Sequence, residues 1–160
     1  MDPFVVLGVE PSMDLDPGEL ERRYLALSRE CHPDHQPTES PQEQQLVLER
    51  AAKLNDSYRR LKDPWSRATA LLNLSEPGIL DRTKQLSPTF LMEAMEISEA
   101  ALVARGAEAD DLRNRLERSI AASLEDITSK IGARDWAAAA TALHESRYYR
   151  KALADLQANQ

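Results

Sequence analysis

The sequence contains little of several residue types, and each shortage excludes a class of structure. It has a single cysteine, Cys31, so no intramolecular disulfide can form, which is typical of a protein from the reducing cytoplasm. No alternating β-branched run is long enough to predict a strand. No segment approaches the roughly 18 consecutive apolar residues of a membrane span, and the N-terminus lacks the basic region of a signal peptide. We therefore expect a cytoplasmic protein without membrane segments.

The residues that are present predict a helical globular protein. Hydrophobic residues make up 42% of the 160 residues and charged residues 29%, and alanine, leucine and glutamate are abundant. The length predicts one domain or two small ones. The formal net charge of −7 argues against binding to nucleic acid or to an anionic membrane. The composition thus favours an all-α fold whose partners are other proteins.

Two amphipathic helices flank the tripeptide His32-Pro33-Asp34. Apolar residues recur at helical spacing on both sides of it: Leu20, Tyr24, Leu27 and Cys31 upstream, and Val47, Ala51, Leu54, Tyr58 and Leu61 downstream. Pro33 cannot continue the first helix, so the chain must turn there and the two helices pack antiparallel. Asp34 then presents a carboxylate at the tip of a hairpin, where an arginine of a partner could bind it.

Helix starts divide the rest of the chain. An N-cap residue followed by proline at the first helical position predicts helix starts at Asp16-Pro17, Ser40-Pro41, Asp63-Pro64 and Ser87-Pro88. Residues 75–86 are turn-rich and lack helical periodicity, which predicts a linker between an N-terminal lobe (1–74) and a three-helix bundle (87–160). We expect the bundle helices to span about 88–105, stopped by Gly106, then about 109–131, stopped by Gly132, and to resume near Asp135.

The first bundle helix has two apolar stripes, although one would suffice for a bundle core. The core stripe consists of Phe90, Ala94, Ile97, Ala101 and Ala104. About a third of a turn away lies a second stripe of Leu91, Met95 and Leu102, with Met92 next to it and Glu96 and Glu99 at its border. Either this second stripe packs on the N-terminal lobe or a broad core, or it binds a partner.

The residues do not predict an enzyme or a metal site. Cys31, His32 and His35 lie within five residues, but a structural metal site needs four ligands, and a buried thiol explains Cys31 more simply. His144 is alone on its helix and is more simply a surface or hydrogen-bonded histidine. There is no Glu-x-x-His pair, no glycine-rich phosphate loop and no nucleophile elbow. We expect no catalytic residues, no metal and no cofactor.

The arrangement of helix, His32-Pro33-Asp34 and helix resembles a J-domain, the module that stimulates ATP hydrolysis by DnaK-type chaperones. The segments 2–8 and 54–64 are similar to the first helix and the end of the third helix of that family. The resemblance implies that His32 holds the turn, Pro33 fixes the backbone and Asp34 contacts the chaperone. It also implies a basic docking strip of Arg22, Arg23 and Arg29, which would otherwise be ordinary solvated arginines. His35 departs from the family's basic or aromatic residue.

The whole chain resembles the HscB (Jac-type) co-chaperones of iron–sulfur cluster assembly. The resemblance rests on Phe90-Leu91-Met92-Glu93, on Arg67-Ala68 and on Asp135-Trp136 with Arg147-Tyr148. It implies two partners, an HscA-type chaperone and an IscU-type scaffold protein, and no enzymatic activity. The scaffold surface would consist of Leu91, Met92, Met95, Glu96, Glu99 and Tyr148.

Two features distinguish this chain within that resemblance. Val103 replaces an acidic residue, and the N-terminal Cys-x-x-Cys of eukaryotic members is absent, which indicates a bacterial-type protein. We expect a monomer or weak self-association. The alternative function is a general J-domain protein that presents unfolded polypeptides, although such proteins usually carry a Gly/Phe-rich linker that this sequence lacks.

Overall fold

A computed structural model describes residues 1–32 and 40–159. These residues form two compact units, the first ending at Leu74 and the second beginning at Ser75. The described part of the chain has eight helices and no strand, so the predicted all-α fold is confirmed. The helices are α1 (Pro3–Leu7), α2 (Pro17–Glu30), α3 (Pro41–Lys62), α4 (Pro64–Ser75), α5 (Ile79–Arg82), α6 (Pro88–Val103), α7 (Gly106–Gly132) and α8 (Trp136–Ala158). None of these helices is long and apolar enough to cross a membrane.

The predicted helix starts are confirmed by their hydrogen bonds. The side chain of Asp16 accepts the N–H of Glu19 at 2.6 Å, and that of Asp63 accepts the N–H of Ser66 at 2.8 Å. Asp2, Ser40, Ser87 and Asp135 cap α1, α3, α6 and α8 in the same manner. Each cap satisfies a backbone donor that the first helical turn leaves without a partner, which fixes where the helix begins.

In the first unit, α1 and α2 both pack on α3. Phe4 and Leu7 are buried almost completely, and the α2 stripe faces α3 as the spacing predicts. The rings of Tyr24 and Tyr58 stack with centroids 4.2 Å apart, and the Tyr24 hydroxyl donates to Asn55 Oδ1 at 2.9 Å. These contacts hold the middle of α2 against the C-terminal part of α3, as expected for two antiparallel helices.

In the second unit, α8 is the central helix, because α6 and α7 both pack on it and hardly touch each other. One buried cluster joins the three helices: Ala101, Ala104, Ala109, Leu112, Leu116, Ala152 and Leu156. Phe90 meets Tyr148 and Tyr149, while the C-terminal end of α6 shares this cluster with the C-terminal end of α8. Helices α6 and α8 therefore run in the same direction, as in an up-down-up bundle.

Two details differ from the sequence-based expectation. Helix α6 ends at Val103, and Gly106 begins α7 with a φ of 57° instead of stopping α6. By contrast, α7 ends at Gly132, as the sequence predicted. Residues 75–86 contain the one-turn helix α5, which four residues are too few to reveal by periodicity.

Candidate functional site

The exposed face of α2 carries two of the three predicted docking arginines. Arg22 and Arg29 lie seven residues apart, which places them on the same side of the helix, and both are exposed. Among residues 1–32 and 40–159 neither forms an ion pair. Leu25 and Ala26 are exposed between them. This strip can meet an acidic surface of a partner.

Arg23 has a different environment, because its guanidinium binds within the unit. Its Nη1 donates to the carbonyl of Gly8 at 2.6 Å, and its Nη2 lies 3.0 Å from a carboxylate oxygen of Glu19. Gly8 ends α1 in the left-handed conformation with a φ of 64°. Arg23 thus ties α2 to the end of α1, a role that helical spacing alone could not show.

The tripeptide that motivated the hairpin prediction lies mostly outside the described residues. His32 is exposed directly after α2, and its N–H donates to the carbonyl of Arg29 at 3.4 Å. Pro33, Asp34 and His35 fall in the segment 33–39, which the structure does not describe. Their assigned roles stay predictions.

The predicted core stripe of α6 is confirmed. Phe90, Ala94, Ala101 and Ala104 are buried, and Ile97 is partly buried against the cluster of the second unit. The Phe90 ring makes edge-to-face contacts with both Tyr148 and Tyr149 of α8, at centroid distances of 5.6 and 5.8 Å. These contacts orient α6 and fix which side chains it presents to solvent.

The second stripe of α6 is exposed, so it does not belong to a core. The exposed fractions are 36% for Leu91, 63% for Met95 and 55% for Leu102. Met92 and Val103 are exposed as well, and Glu96 and Glu99 lie among them. We call Leu91, Met92, Met95, Leu102 and Val103 the apolar face of α6. Large apolar side chains grouped in solvent on one helix are typical of a surface that binds another protein.

Tyr148 is the one predicted scaffold-binding residue on another helix, and the structure places it at the N-terminal end of α6. It is 39% exposed, and its ring packs against Phe90, the residue before Leu91. Leu91 and Tyr148 are 57 positions apart in sequence but lie at the same end of the bundle. All six predicted scaffold-binding residues are thus exposed, on α6 and on the part of α8 that contacts it.

A buried polar residue in each unit, Arg67 and His144, forms hydrogen bonds with backbone carbonyls of other segments. Arg67, only 8% exposed, donates from Nε to the carbonyl of Leu61 at 2.7 Å and from Nη1 to that of Met13 at 2.6 Å. Burial lowers the pKa of Arg67, and Asp63 and Asp14 oppose this shift.

His144 is buried, and its Nε2 lies 2.8 Å from the carbonyl of Leu80. Because a carbonyl only accepts, this nitrogen carries the proton. His144 is therefore hydrogen-bonded, as the sequence suggested.

Burial and neighbouring charges raise the pKa of two groups on α8. Burial raises the pKa of Glu145; Lys130 opposes this shift, and Asp126 and Glu93 add to it. Burial, Glu145 and Glu93 likewise raise the pKa of Tyr149. No group of three or more His, Cys, Asp or Glu side chains suited to a metal ion occurs in residues 1–32 and 40–159.

Comparisons with known proteins agree with this geometry. The family model described as the HSCB C-terminal oligomerisation domain matches residues 86–157. The chain is 30% identical to the co-chaperone protein HscB homolog of Bordetella petrii, over 98% of this chain and 95% of that protein.

Solved structures show the same architecture. The chaperone HscB from Vibrio cholerae is 26% identical with a TM-score of 0.81, covering 99% of this chain and 96% of that one. The human co-chaperone protein HscB is 25% identical with a TM-score of 0.86, covering 99% of this chain and 81% of that one. The resemblance noted in the sequence thus extends over both units.

Proposed function

Because the chain belongs to the HscB family of co-chaperones, we propose that it delivers an IscU-type scaffold protein to a DnaK/HscA-type chaperone during iron–sulfur cluster assembly. In this proposal the second unit binds the scaffold and the first unit, as a J-domain, stimulates the chaperone ATPase. The protein itself catalyses no reaction and acts in the cytoplasm. Its relatives are named co-chaperones, which is consistent with a role exerted through binding.

The exposed apolar face of α6 is the observation that carries the scaffold-binding part. Leu91 and Met95 lie on the side of the helix away from the core stripe, so a partner can cover them without disturbing the bundle. Methionine side chains adapt to irregular partner surfaces because they are unbranched and flexible. Glu96 and Glu99 border the apolar residues and would face basic groups of the scaffold. Tyr148 would extend the contact onto α8.

The exposed face of α2 supports the chaperone-binding part. Arg22 and Arg29 are available to an acidic surface of the chaperone, whereas Arg23 is engaged with Gly8. We assign the decisive contact to Asp34, with His32 and Pro33 setting the turn. A carboxylate that meets an arginine forms a strong, directional, charge-assisted hydrogen bond.

Carrying both surfaces on one chain gives the protein its effect. A scaffold bound to the second unit is held near the chaperone that the first unit engages, so its local concentration there rises without a high affinity at either surface. Stimulated ATP hydrolysis then shifts the chaperone toward the ADP-bound state, which retains the scaffold. The protein changes populations of states and leaves the chemistry to the chaperone.

Calorimetric titration with an IscU-type scaffold tests the scaffold surface. We expect the wild type to bind and the Leu91→Ala/Met95→Ala variant to bind at least about tenfold more weakly, because truncation at the centre of an interface costs more than about 1 kcal/mol per side chain. The control is Leu46→Ala/Leu48→Ala, which truncates two exposed leucines of α3. Equal affinities of the variant and the control would refute this surface. Absence of wild-type binding with ATPase stimulation retained would favour the general J-domain function.

The Asp34→Asn variant tests the chaperone surface, because asparagine keeps the shape and removes the charge. We expect it to lose stimulation of the chaperone ATPase and to bind the scaffold like the wild type. The Leu91→Ala/Met95→Ala variant should show the reverse pattern. A correctly folded variant that lost both activities would contradict two separate surfaces.

A further inference from the structure

A basic groove lies beside Tyr148 in the second unit. It has a volume of about 380 Å³ and is lined by Lys84, Leu86, His144, Arg147, Tyr148 and Lys151. The four residues from α8 are spaced at i, i+3, i+4 and i+7, so they form one side of that helix. Lys84 and Leu86 come from the segment before α6 and complete the lining.

A part-buried hydrogen bond between α5 and α8 supports this groove. His144 donates from Nε2 to the carbonyl of Leu80 at 2.8 Å, which fixes α5 on α8. The chain leaving α5 then places Lys84 and Leu86 over the same side of α8. The Nδ1 of His144 lies 3.5 Å from Nη1 of Arg147. Because Nε2 holds the proton, Nδ1 can accept from the guanidinium and orient it.

Two of the three cations that line the groove have no acidic partner among the residues that the structure describes. Lys84 and Arg147 are exposed, and neither forms an ion pair with any residue in 1–32 or 40–159. Lys151 differs, since its Nζ lies 2.7 Å from a carboxylate oxygen of Asp155. On a chain with a net charge of −7, two unpaired cations in one groove form a local reversal of sign.

We propose that this groove binds an acidic segment of the same scaffold protein that covers the apolar face of α6, an inference that rests on the proposed function. Tyr148 lines the groove and contacts Phe90 at the start of α6, so the two surfaces meet. Glu96 and Glu99 lie further along α6 and present the opposite charge. A partner with carboxylates at one end and cations at the other would match this surface in only one orientation.

Charge reversal separates this inference from a general electrostatic effect. The groove variant is Lys84→Glu/Arg147→Glu, and the matched control is Arg115→Glu/Arg118→Glu, which makes the same charge change at exposed positions of α7. We expect calorimetry with an IscU-type scaffold at low salt to show about tenfold weaker binding for the groove variant and less than about twofold for the control. A Lys84→Gln/Arg147→Gln variant should fall between the wild type and the reversal. High salt should shrink all of these differences.

The results distinguish the inference from its premise. Suppose that the wild type binds the scaffold and that the Leu91→Ala/Met95→Ala variant does not. If the groove variant then has the same affinity for the scaffold as its control, the groove inference is wrong and the proposed function stands. If the wild type does not bind, both are overturned. Equal thermal midpoints of the wild type and the groove variants show that altered affinity reflects charge and not misfolding.

Discussion

Replacing Arg67 with methionine should destabilise the first unit strongly. Arg67 lies in α4, and its guanidinium connects this helix to two other segments. It donates to the carbonyl of Leu61 near the end of α3 and to the carbonyl of Met13 in the loop before α2. The last carbonyls of a helix have no partner within the helix, so the Leu61 carbonyl depends on an outside donor. Methionine fills a similar volume and donates nothing.

The size of the effect follows from these two bonds. A hydrogen bond that involves a charged group contributes about 1.5–3 kcal/mol to the free energy of unfolding. A buried carbonyl left without a donor costs additional free energy, because it has lost its contact with water and gains no partner in return. Removing the buried charge relieves part of its desolvation cost, which is the cause of the lowered pKa of Arg67. We therefore expect a net loss of about 2–3 kcal/mol. Such a loss should lower the thermal midpoint of a unit of this size by about 10 °C or more.

Tryptophan fluorescence can follow each unit separately, because Trp65 lies in α4 and Trp136 in α8. Urea unfolding of Arg67→Met is measured in a Trp136→Phe background, so that only the first unit reports. The control is Arg59→Ala, whose side chain is 81% exposed and pairs with Asp56. This substitution should cost less than about 1 kcal/mol. If Arg67→Met cost no more than this control, the reasoning from its two hydrogen bonds would be refuted.

Two further substitutions test other features. Gly8→Ala should lower the free energy of unfolding of the first unit by about 1 kcal/mol, because a φ of 64° is strained for alanine. Urea unfolding followed by Trp65 measures this change. The control is Gly132→Ala in the second unit, which has open space around it and should not lower the free energy of unfolding followed by Trp136. Glu145→Gln should stabilise the second unit at pH 7. The raised pKa means that the folded state binds the proton more tightly, so wild-type stability falls as pH rises from the ordinary value of 4.5 to the raised pKa. Unfolding followed by Trp136 should show that the free energy of unfolding falls less between pH 4 and pH 7 in the variant than in the wild type. Equal decreases in the two proteins would contradict this prediction.

Helix starts were predictable because they depend on neighbouring residues. An acceptor side chain followed by proline satisfies the first turn locally, so Asp16, Ser40, Asp63 and Ser87 could be identified from sequence. The prediction that Gly106 stops α6 was wrong, because glycine is common both directly after a helix and at turn positions with a positive φ. Only the packing of α7 decides which of these the chain uses.

The apolar face of α6 was half predictable. Helical spacing separates Leu91 and Met95 from the core stripe, but exposure depends on what covers them, which the structure alone reports. The basic groove was missed because its walls are about 60 residues apart in sequence and meet through the bond between His144 and Leu80. The i, i+3, i+4, i+7 spacing on α8 was a signal for one wall only.

The uncovered apolar face of α6 also has a colloidal consequence. A free molecule keeps Met92, Met95 and Val103 in water, which favours contact between copies, while the net charge of −7 repels them. Salt weakens that repulsion and leaves apolar attraction intact. We therefore expect self-association through this face to compete with partner binding, so that the apparent affinity for a partner falls as the protein is concentrated in high salt. A low concentration and moderate ionic strength favour the heterologous complex.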